Sequence, residues 1–309
     1  MDSLVFCGTP RFAVPALEAL ARAGFPVALV VTQPDRPRGR GLALAPSPVK
    51  ESALALQLPV IQPESIKNND EFRSQLTALQ PKAIVVVGYG RIIPRWMIDL
   101  PRFGNINLHA SLLPKYRGAA PIQWAIARGE TVTGVTTMRI DAGLDTGDIL
   151  RQKEIPIDPA DTAETLAPKL AAIGADLMDE TLRGLEAGTV AAQTQDHSKA
   201  TLAPILKKED GRIDFQLSAR EIGDRLRGFQ PWPGAFTTFR GKNLHIWNTA
   251  VSQHSIPRGE LLLEGDHLIV GCEASSLELL EVQPEGKKHM AARDFIHGYR
   301  PRTGDKLGL

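Results

Sequence analysis

Cysteine is nearly absent. Cys7 and Cys272 are the only two in 309 residues, and they stand far apart in sequence. That spacing offers neither a disulfide framework nor a metal cluster, and a reducing cytoplasm is the expected compartment. Charge of one sign is lacking too, with 36 Lys and Arg against 35 Asp and Glu, a net charge of +1. Overall charge therefore does not announce a nucleic-acid partner, and any basic surface has to be local. No hydrophobic run is long, and Ala83–Val87 (A-I-V-V-V) is far too short to cross a membrane. The opening M-D-S-L-V-F-C-G-T-P lacks the basic and apolar regions of a signal peptide and the Arg- and Ser-rich character of a transit peptide. A cytoplasmic protein without membrane contact is expected. The first apolar run leads into C-G-T-P-R-F-A, not G-x-G-x-x-G, and no Walker A sequence occurs. His197, His245, His254, His267, His289 and His297 have no metal-ligand spacing with cysteines or acids, so no metal is expected. Internal repeats and low-complexity tracts are missing as well.

What is present is ordinary for a globular protein: 43% hydrophobic and 23% charged residues, in a chain long enough for two domains. The first half alternates short apolar runs with helical patterns. Strands are expected at Leu4–Cys7, Val27–Thr32, Val60–Ile61, Ala83–Val87, Asn105–His109, Thr133–Ile140 and Ile149–Ile155. Between them fall helical patterns at Phe12–Ala23, after Ser47-Pro48, at Asn69–Leu79, Pro94–Leu100 and Pro121–Arg128. A longer one runs from about Thr162 to Leu185, with Pro168 expected to kink or restart it. This alternation predicts an α/β fold, a doubly wound, mostly parallel, Rossmann-like sheet with helices on both faces. Ligands bind such sheets beyond the carboxyl ends of the strands. After Gly188 the periodicity fades. Residues 1–188 are read as a catalytic domain, 189–206 as a linker and 207–309 as a second domain. That last part has a capped helix at Ser218–Phe229 and then short strand-like pieces broken by Gly and Pro, as in a small β-barrel.

Three stretches could carry chemistry. In N-I-N-L-H, residues 105–109, the polar side chains share one strand face and Ile106 and Leu108 the other. Asn107 can donate to an oxygen that becomes negative, and His109 can pass a proton near neutral pH. The same pair could equally be a polar strand end satisfied by backbone. In D-A-G-L-D-T-G-D, residues 141–148, Asp and Gly make a turn without EF-hand spacing. Asp145, in mid-loop, is the best placed to reach His109, orient the imidazole and favour its charged form. The loop Gln33–Pro46 carries Arg36, Arg38 and Arg40 against the single acid Asp35. A second basic cluster holds Lys287, Lys288, Arg293, Arg300 and Arg302. Each is either a solvated face or a phosphate contact, and their coexistence in a near-neutral chain favours a nucleic-acid partner.

Taken together, N-x-H-x-S-L-L-P-x-x-x-G (Asn107 to Gly118) followed by D-x-G-x-D-T-G-D resembles the 10-formyltetrahydrofolate-dependent formyltransferases. F-C-G-T-P, T-Q-P-D-R-P-x-G-R-G at 32–41, P-S-P-V-K at 46–50, V-V-G-Y-G at 86–90 and R-G-A-A-P-I-Q at 117–123 are similar to the branch that acts on methionyl-tRNA. The resemblance spans the chain and is looser in the C-terminal part, at F-x-P-W-P-G and Q-P-E-G-K-K-H-M. It implies formyl transfer from 10-formyltetrahydrofolate to the α-amino group of methionine on initiator tRNA, with Asn107, His109 and Asp145 catalytic and no metal. It further implies a folate site at Val87, Gly88, Tyr89, Gly90 and Ile92, walled by Ser111, Leu112, Leu113 and Pro114, with Asp141 and Gly143. The C-terminal domain would be an OB-like barrel that binds tRNA. Arg36, Arg38, Arg40, Lys287, Lys288 and Arg293 are then tRNA contacts, and a monomer is expected.

Three other readings compete. A formyltransferase acting on a sugar-nucleotide amine shares the N-x-H…D core, but the Arg-rich loop argues against it. A hydrolase that discards the formyl group to water has no use for a second domain with basic clusters. A non-catalytic RNA-binding protein has no use for Asn107, His109 and Asp145.

Overall fold

The computed structural model describes residues 3–38 and 43–308. The chain divides into two compact units. The first comprises Met1–Pro121, Val132–Pro156 and Ala167–Ala203; the second comprises Ile122–Thr131, Ile157–Leu166 and Pro204–Leu309.

In chain order the first part of the sequence forms β1 (Leu4–Gly8), α1 (Val14–Arg22), β2 (Val27–Val31), β3 (Arg36–Arg38), β4 (Ala43–Ala45), α2 (Pro48–Ala55), β5 (Val60–Ile61), α3 (Asp70–Ala78), β6 (Ala83–Val87), α4 (Arg95–Ile98), β7 (Asn105–His109), α5 (Pro121–Ala127), β8 (Val132–Arg139), β9 (Ile149–Pro156) and α6 (Ala163–Ala187). The helix starts follow side-chain chemistry. Ser47 accepts from the Lys50 N–H ahead of Pro48, and Asn69 accepts from the Phe72 N–H. α6 continues through Pro168 instead of restarting. The N–H that proline lacks would have reached only the carbonyl of Glu164, in the exposed first turn.

Seven strands of the first unit make one sheet in the order β5-β2-β1-β6-β7-β8-β9. The five from β5 to β7 are parallel, whereas β8 pairs antiparallel with both β7 and β9. β6 is buried along its whole length, as a central strand with both faces covered must be. On one face Val5, Cys7, Leu29, Val31, Ile84 and Val86 pack with Phe72, Leu76, Tyr89 and Met97. Burial alone pushes the Cys7 thiol far up, so it behaves as a small apolar side chain. The order of the sheet reverses between β1 and β6, which places the ligand crevice of such a fold at their carboxyl ends, Gly8 and Val87.

The second unit continues with α7 (Ala219–Phe229), β10 (Ala235–Phe239), β11 (Lys242–Ser252), β12 (Leu261–Glu264), β13 (His267–Gly271), β14 (Ser276–Pro284), β15 (Met290–Ala291) and α8 (Ala292–Tyr299). The strands run antiparallel in the order β10-β11-β14-β13-β12, with β15 on β14. The tail ties the two edges together: Gly308 N donates to Thr238 O of β10, and Leu307 N donates to Gly259 O just before β12. Sharing one segment removes the free edges and gives the expected OB-like barrel. Its core holds Leu244, Ile246, Leu261, Leu268, Val270, Leu277, Leu279, Val282 and Phe295. α8 falls where the sequence shows mainly basic residues. Among the described residues no helix is long and apolar enough to cross a membrane.

Candidate active site

The polar face of β7 splits into two parts. Asn105 is buried, and its amide Nδ2 donates to the carbonyls of Met97 at 2.8 Å and Ile98 at 3.1 Å, closing the end of α4. It is a structural residue. Asn107, one pleat further, is half-buried. His109, at the carboxyl end of β7, is 6% exposed. Behind them Leu108 packs against Gly174 of α6, where any Cβ would collide with the leucine.

After His109 the chain turns at once. Ser111 Oγ donates to Lys115 O at 2.7 Å, and the Leu113–Pro114 peptide is cis. Thr136 and Gln152 brace this turn from β8 and β9. Leu113 N donates to Thr136 Oγ1 at 3.2 Å, and Thr136 Oγ1 donates to Ser111 O at 2.6 Å. Gln152 Nε2 donates to Leu113 O and to Thr136 Oγ1, both at 2.9 Å. Tyr116 then adopts a positive φ of 61°, and its carbonyl lies 2.8 Å from His109 Nε2. A carbonyl only accepts, so Nε2 carries the hydrogen and Nδ1 is the nitrogen left to exchange a proton.

Nδ1 faces Asp145, whose Oδ2 is 3.7 Å away. This is an ion-pair distance, too long for a hydrogen bond. The carboxylate is 19% exposed and accepts from Gly118 N at 2.8 Å. Gly118 has a φ of 121°, and a Cβ there would lie 2.6 Å from Ala203 O, so only glycine brings this N–H to Asp145. The structure therefore brings together His109, Asp145 and the backbone of the S-L-L-P-K-Y-R-G turn.

At the crevice between β1 and β6, Gly88 and Gly90 have φ of 54° and 75° and are exposed. A Cβ on Gly88 would meet Pro10, and one on Gly90 would meet Gln33, so the two glycines keep a cradle of bare backbone open. Tyr89 between them turns its ring into the core at 1% exposure. Burial pushes its phenol up, so it stays protonated, and its carbonyl accepts from Gln33 Nε2 at 2.8 Å and Thr9 Oγ1 at 3.2 Å. The ring is thus withheld from any ligand. Ile92, by contrast, is 94% exposed, while Leu113 packs on Met138 and Ile149. Asp141 accepts from Gly143 N at 3.0 Å and from Thr146 Oγ1 at 2.7 Å, shaping the loop that carries Asp145.

Several residues of this site escaped the sequence reading. Residues 189–206, read as a linker, lie along the first unit as far as Ala203. Gln193 exchanges two backbone hydrogen bonds with Ile149, and Thr201 O accepts from Arg117 N at 2.8 Å. Gln195 is 3% exposed; its Nε2 donates to the carbonyls of Asp145 at 2.9 Å and Gly147 at 2.7 Å. Its Oε1 accepts from Arg117 Nη2 at 2.6 Å and Nε at 3.1 Å. Arg117 is itself 7% exposed and also meets His197 Nδ1 at 3.1 Å.

Of the basic residues, Arg36 is exposed on the β3–β4 hairpin, Arg38 belongs to β3, and Arg40 lies outside the described residues. Asp35 is taken by Lys50 at 2.6 Å and by Gln62, and their hydrogen bonds hold its carboxyl below the usual range. Lys287, Lys288 and Arg293 are exposed at the far end of the barrel sequence. Among the described residues no group of three or more His, Cys, Asp or Glu could hold a metal ion.

Comparison with known proteins identifies the family and the fold. The family "Formyl transferase" matches residues 1–182, and "Formyl transferase, C-terminal domain" matches residues 205–300. A protein of Koribacter versatilis named methionyl-tRNA formyltransferase is 68% identical over 99% of this chain and 98% of its own length. One of the same name from Caldanaerobacter subterraneus subsp. tengcongensis is 49% identical over 98% of this chain and 99% of its own. Among solved structures, the sugar 3N-formyl transferase WlaRD, crystallised with dTDP and 5-N-formyl-THF, shares the fold with a TM-score of 0.67 at 19% identity, covering 93% of this chain and 99% of its own. The chain belongs to the formyl transferase family.

Proposed function

We propose that this chain transfers the formyl group of 10-formyltetrahydrofolate to the α-amino group of methionine carried on initiator tRNA. The observation that carries the reading is the end-to-end 68% identity to a methionyl-tRNA formyltransferase.

The geometry supports named roles. Asn107 would donate its amide to the formyl oxygen as that oxygen becomes negative. His109, anchored through Nε2, would take the proton of the attacking amine at Nδ1 and return it to the leaving nitrogen of the folate. Asp145 would hold the imidazole's side and balance the charge it gains. The exposed backbone at Gly88 and Gly90 fits the flat edge of a pterin, which needs donors and acceptors but no side chain. Val87, Tyr89 and Ile92 flank that cradle, and Ser111, Leu112, Leu113 and Pro114 would wall it, with Asp141 and Gly143 on the facing loop. Arg36, Arg38, Arg40, Lys287, Lys288 and Arg293 would contact tRNA phosphates, with residues 1–188 as the transfer domain and 207–309 as the tRNA-binding domain. A cytoplasmic monomer without a metal completes the reading.

The test is an acceptor panel with 10-formyltetrahydrofolate: methionylated initiator tRNA, methionylated elongator tRNA, free methionine and a sugar-nucleotide amine. Strong preference for the initiator is expected. Transfer to the amino sugar instead would replace the tRNA reading with the sugar-directed one.

A further inference from the structure

We infer that Gln195 and Arg117 are positioning residues for formyl transfer, holding the Asp145 carboxylate opposite His109. The inference rests on the assignment of His109 and Asp145 proposed above. Gln195 lies in a segment that neither family match includes, since residues 183–204 fall between the two, whereas Arg117 lies within the first.

Four hydrogen bonds exhaust what a Gln side chain can make, and Gln195 makes all four. Two of them end on the backbone of the Asp145 loop, at the carbonyls of Asp145 and Gly147. That loop needs an outside hold. Asp145 sits at a φ of 50°, in the left-handed region, and its neighbour Leu144 is 61% exposed.

The other two bonds come from Arg117, whose chain neighbours are the residues that touch the reacting pair. Tyr116 O meets His109 Nε2, and Gly118 N meets Asp145 Oδ2. The connections close a ring. It runs from the Asp145 carboxylate to Gly118, through the Arg117 side chain to Gln195, and back to the Asp145 carbonyl. Both ends of Asp145 are thereby referred to one tripeptide, residues 116–118, which also fixes His109.

Arg117 is a buried cation that forms no ion pair with a carboxylate among the described residues. Burial without a counter-ion costs stability, so a neutral, fully saturated glutamine is an expensive partner for a staple of the fold alone. It is a suitable partner for a fixed distance. A carboxylate in the place of Gln195 would neutralise Arg117 but would have no hydrogen for the carbonyls of Asp145 and Gly147.

The experiment is a double-mutant cycle of Gln195→Met and Asp145→Asn, with kcat, KM for both substrates and Tm measured for each enzyme. Gln195→Met keeps the volume and removes all four bonds. It is expected to lower kcat by about 10- to 100-fold, the usual cost of losing a partner behind a functional group, with both KM values within about threefold of the parent. In the Asp145→Asn background the same substitution should lower kcat by less than about threefold, because the carboxylate it positions is gone. Gln195→Glu, which keeps only the Arg117 contact, should be at least as damaging as Gln195→Met.

A lowered Tm with kcat of the folded enzyme within threefold of the parent would reduce Gln195 to a staple and overturn the proposal. So would an undiminished loss in the Asp145→Asn background. Should Gln195→Met fail to fold, Arg117→Lys carries the same cycle, with kcat falling by about three- to tenfold in the parent and unchanged beside Asp145→Asn. If Asp145→Asn alone kept parental kcat, the assignment of Asp145 would fall and the positioning role with it. A strongly impaired Asp145→Asn beside a silent Gln195→Met would overturn the positioning role only.

Discussion

Asp145→Asn removes the charge beside His109 and little else. Asp145 has a φ of 50°, a conformation that Asn tolerates and that Ala adopts only with about 1 kcal/mol of strain. An Asn oxygen can still accept from Gly118 N at the observed 2.8 Å. What is lost is the attraction between the carboxylate and the imidazolium that forms as Nδ1 takes a proton. At 3.7 Å, unit charges in an effective dielectric of about 20 attract by about 4 kcal/mol. The carboxylate is 19% exposed, and screening trims the figure to roughly 2–3 kcal/mol. At 1.36 kcal/mol per tenfold, kcat should fall by about 30- to 160-fold. The assay is steady-state formyl transfer to methionylated initiator tRNA, with Tm and folate binding as controls. A folded variant with kcat within threefold of the parent would refute the charge argument.

Other perturbations follow from the same contacts. Gly118→Ala forces a Cβ to 2.6 Å from Ala203 O at a φ of 121°, so stability should drop by about 1–3 kcal/mol and kcat with it; an unchanged melting curve would contradict this. Ser218→Ala breaks the capping box of α7 and should cost about 1 kcal/mol near neutral pH. The Ser218 side chain, and then its backbone N–H, hold the Glu221 carboxyl below its usual value. A depressed folded pKa stabilises above the unfolded carboxylate range and stops doing so as pH falls through the folded value. The difference in Tm between parent and variant should therefore shrink on acidification, and a constant difference would exclude the Glu221 contribution. Finally, tRNA binding should weaken with rising salt, and Lys287→Ala with Lys288→Ala should flatten that slope; an unaltered slope would remove both lysines from the phosphate contacts.

Legibility in the sequence varied with the range of the interaction. β6 and β7 were readable to the residue, because a β-branched run and an alternating run are local patterns. The pairing of His109 with Asp145 was readable as a possibility, since few carboxylates sit in a loop able to reach a strand end. Strand direction was not readable: a mostly parallel sheet was expected without saying which strands depart from it, and β8 and β9 are the antiparallel ones. Asn105 shares the polar face of β7 with Asn107 but serves α4, a role that no local pattern announces. Gln195 was the largest omission. Glutamine has no charge to attract notice, its stretch is aperiodic, and its partner Arg117 is 78 residues away. The local signal was the R-G pair following S-L-L-P-K-Y, which entered only as part of the R-G-A-A-P-I-Q motif.

The most direct test of the account is single-turnover formyl transfer by His109→Gln with 10-formyltetrahydrofolate and methionylated initiator tRNA both saturating. Glutamine retains an N–H for the Tyr116 carbonyl but has no nitrogen that can take up a proton. The account predicts a loss of at least about 10²-fold in the transfer rate with folate binding unchanged. A rate within a few-fold of the parent would contradict His109 as the group that moves the proton.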